Sequence, residues 1–210
     1  MGLALEAGSI DRLLAYLDLL ARWNRTYNLT AVREPEQMLV QHLFDCLAVI
    51  GPLRRHAVTG GGRVLDVGSG GGLPGVVIAA LQPELTVVCV DTVGKKAAFI
   101  RQAAAELKLR NLSGAHARVE ALKVPPFDVI TARAFSSLAL LTELTKSHLK
   151  PGGVWMAMKG RVPDEEMAEL APDIDVFHVE HLQIPDMDAE RCIVWMRPRA
   201  PVSLPAAPTA

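Results

Sequence analysis

The sequence predicts an α/β fold with a doubly wound, mostly parallel sheet that ends in an antiparallel hairpin. Short apolar runs alternate with helical patterns from residue 63 to residue 158, which is typical of parallel βαβ units. The first of these runs breaks into four glycines, as a strand does where it turns sharply into a helix. After Gly160, two strand-like runs are separated only by a short segment, which indicates a closing hairpin.

A helical cap is predicted in front of the sheet, over residues 1–58. Apolar residues recur at helical spacing from Ile10 through Leu14 to Ala21, and either Ser9 or Asp11 is placed to begin this helix. A second helix is expected over residues 35–50, because a proline suits its start and Gly51-Pro52 its end. A polar, basic loop, residues 24–33, joins the two. The cap could close over a ligand site or only cover one face of the sheet.

The remaining elements follow the same patterns. The predicted strands are 63–67, 86–90, 112–116, 127–132, 153–158, 176–183 and 191–197, and the predicted helices are 74–81, 94–108, 136–149 and an acidic 164–171. They form a domain over residues 59–199 with helices on both faces of the sheet. The Pro/Ala-rich tail, residues 200–210, is expected to be disordered.

Composition places the chain among ordinary globular proteins. Half of the 210 residues are hydrophobic and the net charge is −1. There is no signal-peptide pattern and no apolar stretch of roughly 18 residues, so we expect a cytoplasmic protein without membrane contact. Cys46, Cys89 and Cys192 stand far apart, which favours reduced, packed thiols. The six histidines show no paired ligand spacing, so no metal site is predicted.

Charge is distributed unevenly along the chain. Residues 1–162 hold 19 Lys and Arg against 13 Asp and Glu, whereas residues 163–210 hold 3 against 10. This asymmetry could create a basic working face backed by an acidic one, although a solvated mixture of charges without function is the alternative.

The segment VLDVGSGGGLPG, residues 64–75, predicts a cofactor-binding loop, and its G-x-G-x-x-G spacing fits a dinucleotide pattern. Asp66, at the end of the strand, would repel a pyrophosphate but suits the sulfonium and ammonium groups of S-adenosylmethionine. Asp91 ends the next strand, where an acidic side chain accepts from ribose hydroxyls, and this feature does not separate the two cofactors. S-adenosylmethionine is favoured over NAD, and a glycine turn without a ligand remains a third interpretation.

This arrangement is that of a class I S-adenosylmethionine-dependent methyltransferase with a Rossmann-like sheet. Over residues 13–197 the sequence also resembles the GidB family of 16S rRNA guanine-N7 methyltransferases. The motifs that carry the resemblance are Trp23-Asn24, Tyr27–Thr30, Arg33, His42–Asp45, Asp66–Gly75, Asp91, Gly94–Lys96, Arg118–Glu120, Arg133–Phe135 and Lys159-Gly160.

The resemblance implies S-adenosylmethionine as cofactor and N7 of a guanine in the 530 loop of 16S rRNA as the methyl acceptor. It also implies cofactor contacts from Gly68, Leu73, Val119, Glu120 and Arg133. To these the residue patterns add Gly70 and Asp91. Val119 and Glu120 follow the third strand, where they could hold an adenine, although Glu120 on a solvated turn is an equal alternative.

Two arginines are the predicted catalytic residues, Arg118 and Arg133. Guanine N7 is a lone pair without a proton, so its methylation needs alignment and no general base. Because methylation makes the ring positive, a guanidinium beside N7 would oppose the reaction. We therefore expect both arginines to orient O6, a phosphate or the cofactor carboxylate. The segment Thr131–Phe135 lacks the Asn/Asp-Pro-Pro-aromatic cluster of enzymes that methylate adenine amines.

Arg25 and Arg33 are the predicted substrate-binding residues. Further candidates for RNA contact are Arg22, Arg54, Arg55, Lys95, Lys96 and Arg101, with Tyr27 as a stacking residue, although each could be a solvated side chain. His42 and Asp45 could face the site together, and a surface pair or a helix-docking hydrogen bond is the preferred interpretation.

The predicted partner is 16S rRNA or a small ribosomal subunit particle, bound by a monomer that contacts neither DNA nor a membrane. Three alternatives remain open from the sequence: a methyltransferase acting on a small molecule or a protein, an NAD-dependent oxidoreductase, and a regulatory protein that binds the cofactor without turnover.

Overall fold

A computed structural model of the chain describes residues 3–56 and 61–199. Its centre is a seven-stranded sheet with the strand order β3-β2-β1-β4-β5-β7-β6. The strands are β1 Gly62–Val67, β2 Leu85–Asp91, β3 Leu112–His116, β4 Phe127–Arg133, β5 Leu149–Lys159, β6 Ile174–Leu182 and β7 Arg191–Pro198. Strands β1 to β5 pair in parallel, and β7 pairs antiparallel with both β5 and β6. The predicted fold class is therefore confirmed.

Strands β1 and β4 are neighbours in the middle of the sheet. From β1 the chain proceeds outward in one direction through β2 and β3, and from β4 it proceeds in the other direction to β5, so the strand order reverses between β1 and β4. In an open α/β sheet such a switch point creates a crevice at the carboxyl ends of the strands. The helices that follow the strands are α5 Gly75–Leu81, α6 Gly94–Glu106, α7 Leu138–Thr145 and α8 Asp164–Ala168. A 3-10 turn, Val119–Ala121, follows β3, and a second one, Lys146–His148, follows α7.

The first cap helix, α1, spans Ala7–Tyr27 and begins earlier than predicted. Its buried face follows helical spacing through Leu13, Tyr16, Leu17, Leu20 and Asn24. The predicted apolar face is wrong at two residues, because the side chains of Ile10 and Leu14 are exposed. Tyr16 and Asn24 occupy the buried face because their polar groups find hydrogen-bond partners there.

The second cap segment is helical from Pro35 onward but changes type along its length. Helix α2 (Pro35–Met38) continues into a π-helical segment (Leu39–Phe44) and then into α3 (Asp45–Leu47). The predicted stop at Gly51-Pro52 is wrong, because α4 spans Ile50–His56. Pro52 lies in the first turn of α4, where a missing N–H group removes no helical hydrogen bond.

Three predicted boundaries in the second half of the chain differ from the structure. The helix predicted over residues 136–149 ends earlier, since α7 stops at Thr145, and β5 begins at Leu149 instead of residue 153. The acidic helix α8 is also shorter than predicted. Ser137 sets the start of α7, because its side chain accepts a hydrogen bond from Leu140 N.

The cap and the sheet share one continuous hydrophobic core on one face of the sheet. Tyr16, Leu20 and Ile50 of the cap belong to the same buried cluster as Val76 and Phe99. The predicted cap boundary at residue 58 and the predicted disordered tail, residues 200–210, lie outside the described residues. Among the helices that are described, none has the length and apolar character to span a membrane. The three cysteines are free and buried, as predicted.

Candidate functional site

A cavity of about 620 Å³ lies between the cap and the carboxyl ends of the parallel strands. The cap contributes one wall, the loop after β1 forms the floor, and the ends of β4, β5 and β7 form the opposite wall. The residues on these surfaces include Leu29, Thr30, His42, Asp45, Gly68, Ser69, Gly70, Gly71, Leu73, Lys96, Arg133, Lys159, Arg191 and Cys192. The cavity lies where the strand order predicts a ligand.

The glycine loop presents bare backbone to this cavity. Gly68, Gly70 and Gly72 have φ values of 65°, 58° and 87°, which other residues rarely adopt. A Cβ atom at Gly70 would meet nothing within 4 Å, whereas one at Gly72 would lie 2.6 Å from Val76. Gly70 therefore leaves room for a ligand, and Gly72 leaves room for α5.

Asp91, at the end of β2, holds this loop in place. Its Oδ2 accepts from Gly70 N at 2.9 Å and its Oδ1 from Val93 N at 2.8 Å. The Nζ atom of Lys96 lies 3.9 Å from Oδ2, and Lys96 itself lines the cavity. A carboxylate oxygen has a second lone pair, so Asp91 retains capacity to accept from a hydroxyl of a ligand.

The expectation that Asp66 faces the ligand is wrong. Its side chain is fully buried and does not line the cavity. Oδ2 accepts from Gly75 N at 2.9 Å and from the Cys89 thiol at 3.7 Å, so Asp66 anchors the start of α5. Burial raises the pKa of Asp66 to about 7. The preference for a positively charged cofactor therefore cannot rest on this carboxylate.

Tyr16 joins the cap to the glycine loop, a role that sequence analysis missed. Its hydroxyl donates to the carbonyl of Gly71 at 2.6 Å, and its ring lies 6.2 Å from that of Phe99. Burial raises the pKa of the Tyr16 phenol, so the hydroxyl stays protonated and donates. The sequence contained one indication of this role, a tyrosine on the apolar face of a helix, because a buried hydroxyl needs a hydrogen-bond partner.

Asp45 holds two arginines at the wall of the cavity. Arg133 Nη1 donates to Asp45 Oδ2 at 3.2 Å and to the carbonyl of Gln41 at 3.0 Å. Arg191 Nε donates to Asp45 Oδ1 at 3.1 Å. Arg191 was not among the residues predicted from the sequence. Its position at the start of β7 could have indicated a role in the site, because an antiparallel strand begins at the edge where the parallel strands end.

His42 lies beside this pair on the π-helical segment. Its Nε2 is 2.8 Å from the hydroxyl of Thr30, whose backbone N–H donates to Asn24 Oδ1 at 2.9 Å. Burial, with a smaller effect from Arg133, lowers the pKa of His42. His42 and Asp45 therefore do face the site together, and His42 also makes a helix-docking hydrogen bond. The surface-pair interpretation is wrong, since both side chains are buried.

The structure brings only some of the predicted site residues to the cavity. Gly68, Gly70, Leu73 and Arg133 line it. The other predicted positions do not line it, and their assigned roles stay predictions. Arg118 and Glu120 are exposed and Val119 is buried at the 3-10 turn after β3, while Arg25 and Arg33 lie on the outer part of the cap.

Several basic side chains predicted to contact RNA have partners within the chain. Arg22 pairs with Glu106, Arg55 pairs with Glu180, and Arg101 donates to the carbonyl of Gly114. Lys96 points toward Asp91 and lines the cavity, and its contact with RNA stays a prediction. Tyr27 is 42% exposed and packs against Trp23, with ring centroids 5.0 Å apart.

The prediction of no metal ligands rested on spacing along the chain, and the fold changes that picture. Within the described residues, His56, His178 and Glu180 bring their ligand atoms within 4.8 Å of one another. None of the three lines the cavity. This cluster therefore lies apart from the candidate cofactor site.

Comparison with known proteins identifies relatives over nearly the whole chain. Residues 9–194 match the GidB family model, described as rRNA small subunit methyltransferase G. The chain is 61% identical over 203 residues to "Ribosomal RNA small subunit methyltransferase G" of Leptothrix cholodnii, covering 97% of this chain and 93% of the relative. It is 56% identical to the protein of the same name from Acidovorax sp. strain JS42, covering 95% and 92%.

Solved structures agree on the architecture. The chain is similar to TrmN from Thermus thermophilus, with a TM-score of 0.59 and 22% identity over 73% of this chain and 48% of that one. It is also similar to a SAM-dependent methyltransferase from Aquifex aeolicus, with a TM-score of 0.59 and 18% identity over 87% and 97%. At these identities the likeness shows the fold alone.

Proposed function

Because the chain belongs to the GidB family of rRNA small subunit methyltransferases, we propose that it transfers a methyl group from S-adenosylmethionine to N7 of a guanine in the 530 loop of 16S rRNA. The family membership makes the chain an S-adenosylmethionine-dependent methyltransferase and sets aside the oxidoreductase alternative. The observation that carries the finer proposal is the cavity in which a bare glycine loop and an Arg133–Asp45–Arg191 cluster lie together.

The glycine loop fits the methyl donor. Gly70 adds no side chain where the loop meets the cavity, and Asp91 beside it can accept from ribose hydroxyls. Leu73 offers an apolar contact, and Val119 with Glu120 after β3 would hold the adenine. When bound, S-adenosylmethionine supplies a methyl group on a positively charged sulfur.

The Arg133–Asp45–Arg191 cluster, which joins the cap to the strand ends, suits a guanine acceptor. Guanidinium groups are natural partners of guanine O6 and of phosphate oxygens. In this proposal Arg133 and Arg191 orient the acceptor, and Asp45 fixes the two guanidinium groups. Arg133 and the glycine loop line the same cavity, so in this proposal Arg133 is also a candidate partner for the carboxylate of the donor. Arg118, exposed after β3, would contact the RNA at the rim.

The side chains of the cavity favour catalysis by alignment. Both oxygens of Asp45 are engaged by arginines, and the lowered pKa of His42 keeps its imidazole neutral near pH 7. Cys192 is the cavity's thiol, and burial raises its pKa, so a nucleophilic thiolate is disfavoured. Guanine N7 needs neither a base nor a covalent intermediate. Holding N7 in line with the methyl group then supplies the rate acceleration.

The acceptor guanine must be unpaired or loosely paired. The deep major groove of an A-form helix hides N7 from side chains, so a loop is a better substrate than a duplex. Arg25 and Arg33 flank the segment that carries Leu29 and Thr30, which form part of the cavity wall, and they would contact the surrounding phosphates. We place this reaction in the cytoplasm, on 16S rRNA or a small-subunit particle, with a monomer as the active form.

Mapping of the methylated nucleotide tests the proposal. The protein is incubated with labelled S-adenosylmethionine and with small-subunit RNA or particles from cells that lack the enzyme. The proposal predicts one labelled N7-methylguanosine in the 530 loop and much weaker labelling of a matched, fully paired duplex. Label on another base, on a ribosomal protein or on a small molecule would contradict it.

A further inference from the structure

Three metal-ligating side chains meet where the end of α4 contacts the edge strand β6. His56 Nε2 lies 3.8 Å from Glu180 Oε2, and His178 Nε2 lies 3.8 Å from the same oxygen. We propose that His56, His178 and Glu180 bind one divalent transition-metal ion of the zinc type, and that this ion links the cap to β6.

The spacing of the ligand atoms suits one shared ion. Zinc lies about 2.0–2.2 Å from imidazole nitrogen and carboxylate oxygen, so ligand atoms in a tetrahedral site stand about 3.4 Å apart. The two distances to Glu180 Oε2 exceed this value by a few tenths of an ångström, and the ligand nitrogens of the two histidines lie within 4.8 Å of each other, so the two imidazoles must move closer to share an ion. The side chains of His56 and His178 are 30% and 43% exposed, so they have room to make that adjustment. The same exposure admits water as a fourth ligand.

Local structure brings the three ligands to one point. His178 and Glu180 are two residues apart on β6, and alternate residues of a strand share a face. His56 ends α4, where its ring lies 5.1 Å from the buried ring of Trp195 and 6.5 Å from Phe177. These aromatic contacts direct the imidazole toward β6 instead of into solvent.

The carboxylate of Glu180 is oriented for a cation. Arg55 pairs with Oε1, whereas Oε2 is buried and has no hydrogen-bond partner among the described residues. A buried polar atom without a partner is costly, and a bound ion would remove that cost. Arg55 also places a positive charge near the site, and this charge weakens the binding of a cation. As a hydrogen-bond partner outside the ligand set, however, Arg55 holds the ligating carboxylate of Glu180 in position.

The donor set selects the class of ion. Two imidazole nitrogens and one carboxylate oxygen suit Zn²⁺, Ni²⁺ or Cu²⁺, whereas Mg²⁺ prefers oxygen ligands alone. The three residues lie outside the cavity, so the ion would act on stability and not on the methyl-transfer chemistry. An ion that binds only the folded chain raises its melting temperature as its concentration rises.

Metal titration tests this site. The full chain, freed of any purification tag and stripped of metal with a chelator, is titrated with Zn²⁺ by calorimetry at pH 7.5 and melted with Zn²⁺ or Mg²⁺. We expect one Zn²⁺ per chain, a melting temperature that rises with Zn²⁺, and no comparable response to Mg²⁺. His178→Ala and Glu180→Gln should each weaken Zn²⁺ binding by at least about tenfold.

The matched control is His181→Ala, which removes an exposed histidine of the same strand that is outside the cluster. This variant should bind Zn²⁺ like the parent chain, and binding of S-adenosylmethionine should be unchanged in all three variants. No saturable Zn²⁺ binding would overturn the proposal. Equal affinity in the parent and in His178→Ala would also overturn it, because the ion would then be held elsewhere.

Discussion

Arg133 Nη1 lies 3.2 Å from Asp45 Oδ2, and this contact ties the end of β4 to the helical cap. The other oxygen of Asp45 accepts from Arg191, so one carboxylate fixes basic groups from two strands. The acceptor side of the cavity is therefore built from both the cap and the strand ends. Tyr16 makes a second contact between the cap and the site, because its hydroxyl donates to the carbonyl of Gly71 in the glycine loop.

Asp45→Asn should impair both catalysis and folding. The amide keeps the size of the side chain but loses the charge that holds Arg133 and Arg191, so the acceptor loses its alignment. We expect kcat/KM for methylation to fall at least about tenfold, with a loss of about 1–3 kcal/mol in the free energy of unfolding. Steady-state kinetics and urea denaturation measure the two effects. Asp18→Asn, an exposed change on α1, is the control, and equal kinetics in both variants would refute the role of Asp45.

Tyr16→Phe should loosen the glycine loop. The substitution removes one hydrogen bond and leaves the Gly71 carbonyl without its donor, which costs about 1 kcal/mol of stability. Because that loop binds the cofactor, affinity for S-adenosylmethionine should weaken several-fold. Isothermal titration calorimetry measures this affinity. The control is Tyr27→Phe, which changes an exposed tyrosine and should leave the affinity for S-adenosylmethionine unchanged. An unchanged affinity in Tyr16→Phe as well would show that the contact between cap and loop does not support cofactor binding.

Gly70→Ala should mainly weaken cofactor binding, whereas Gly75→Ala should mainly destabilise the fold. At Gly70 the new methyl group enters the open cavity, so cofactor affinity falls while the fold loses only about 1–2 kcal/mol through the positive φ. At Gly75 the Cβ would lie 2.2 Å from Cys89 Sγ and 2.9 Å from Asp66 Oδ2, so the fold itself is destabilised. Calorimetry and thermal melting of both variants distinguish the two effects. Normal cofactor binding by a folded Gly70→Ala variant would contradict the assignment of the loop.

The contribution of Asp66 to the free energy of unfolding should fall as pH rises toward 7, whereas a carboxyl with a lowered pKa gives the opposite dependence. Its folded pKa of about 7 lies above its ordinary value of 3.8, so between these values the folded chain binds more protons than the unfolded chain. This carboxyl therefore stabilises the fold most fully at low pH, and its contribution is lost as pH rises toward 7. In Asp66→Asn that loss is absent. The unfolding free energy of the variant relative to the parent should rise from pH 4 to pH 7 and then level off, and a flat difference would contradict the account.

The sequence was sufficient to predict most of the fold, because β1, β2, β4 and β5 carry apolar runs and helical patterns follow β1, β2 and β4. The glycine loop was also predictable, since Gly68, Gly70 and Gly72 occupy conformations that favour glycine. The buried face of α1 was not predictable from the sequence. Apolar Ile10 and Leu14 match helical spacing as well as Leu13 and Leu17 do, and only packing against the sheet decides between them.

The site was harder to predict than the fold because it depends on contacts between distant segments. Asp66 was assigned to the ligand from its position at a strand end, but the direction of its side chain toward α5 is set by the strand's alternation and by the space at Gly75. Arg191 and the histidine cluster draw on strands β6 and β7, whose insertion order in the sheet is not visible in local patterns.

The most direct test of the account is a crystal structure of the chain with S-adenosylhomocysteine and an RNA hairpin that carries the 530 loop. We expect the nucleoside over Gly70 and Asp91, and an unpaired guanine against Arg133 and Arg191 with N7 directed at the sulfur. A guanine bound outside this cavity, or a cofactor bound away from the glycine loop, would contradict it.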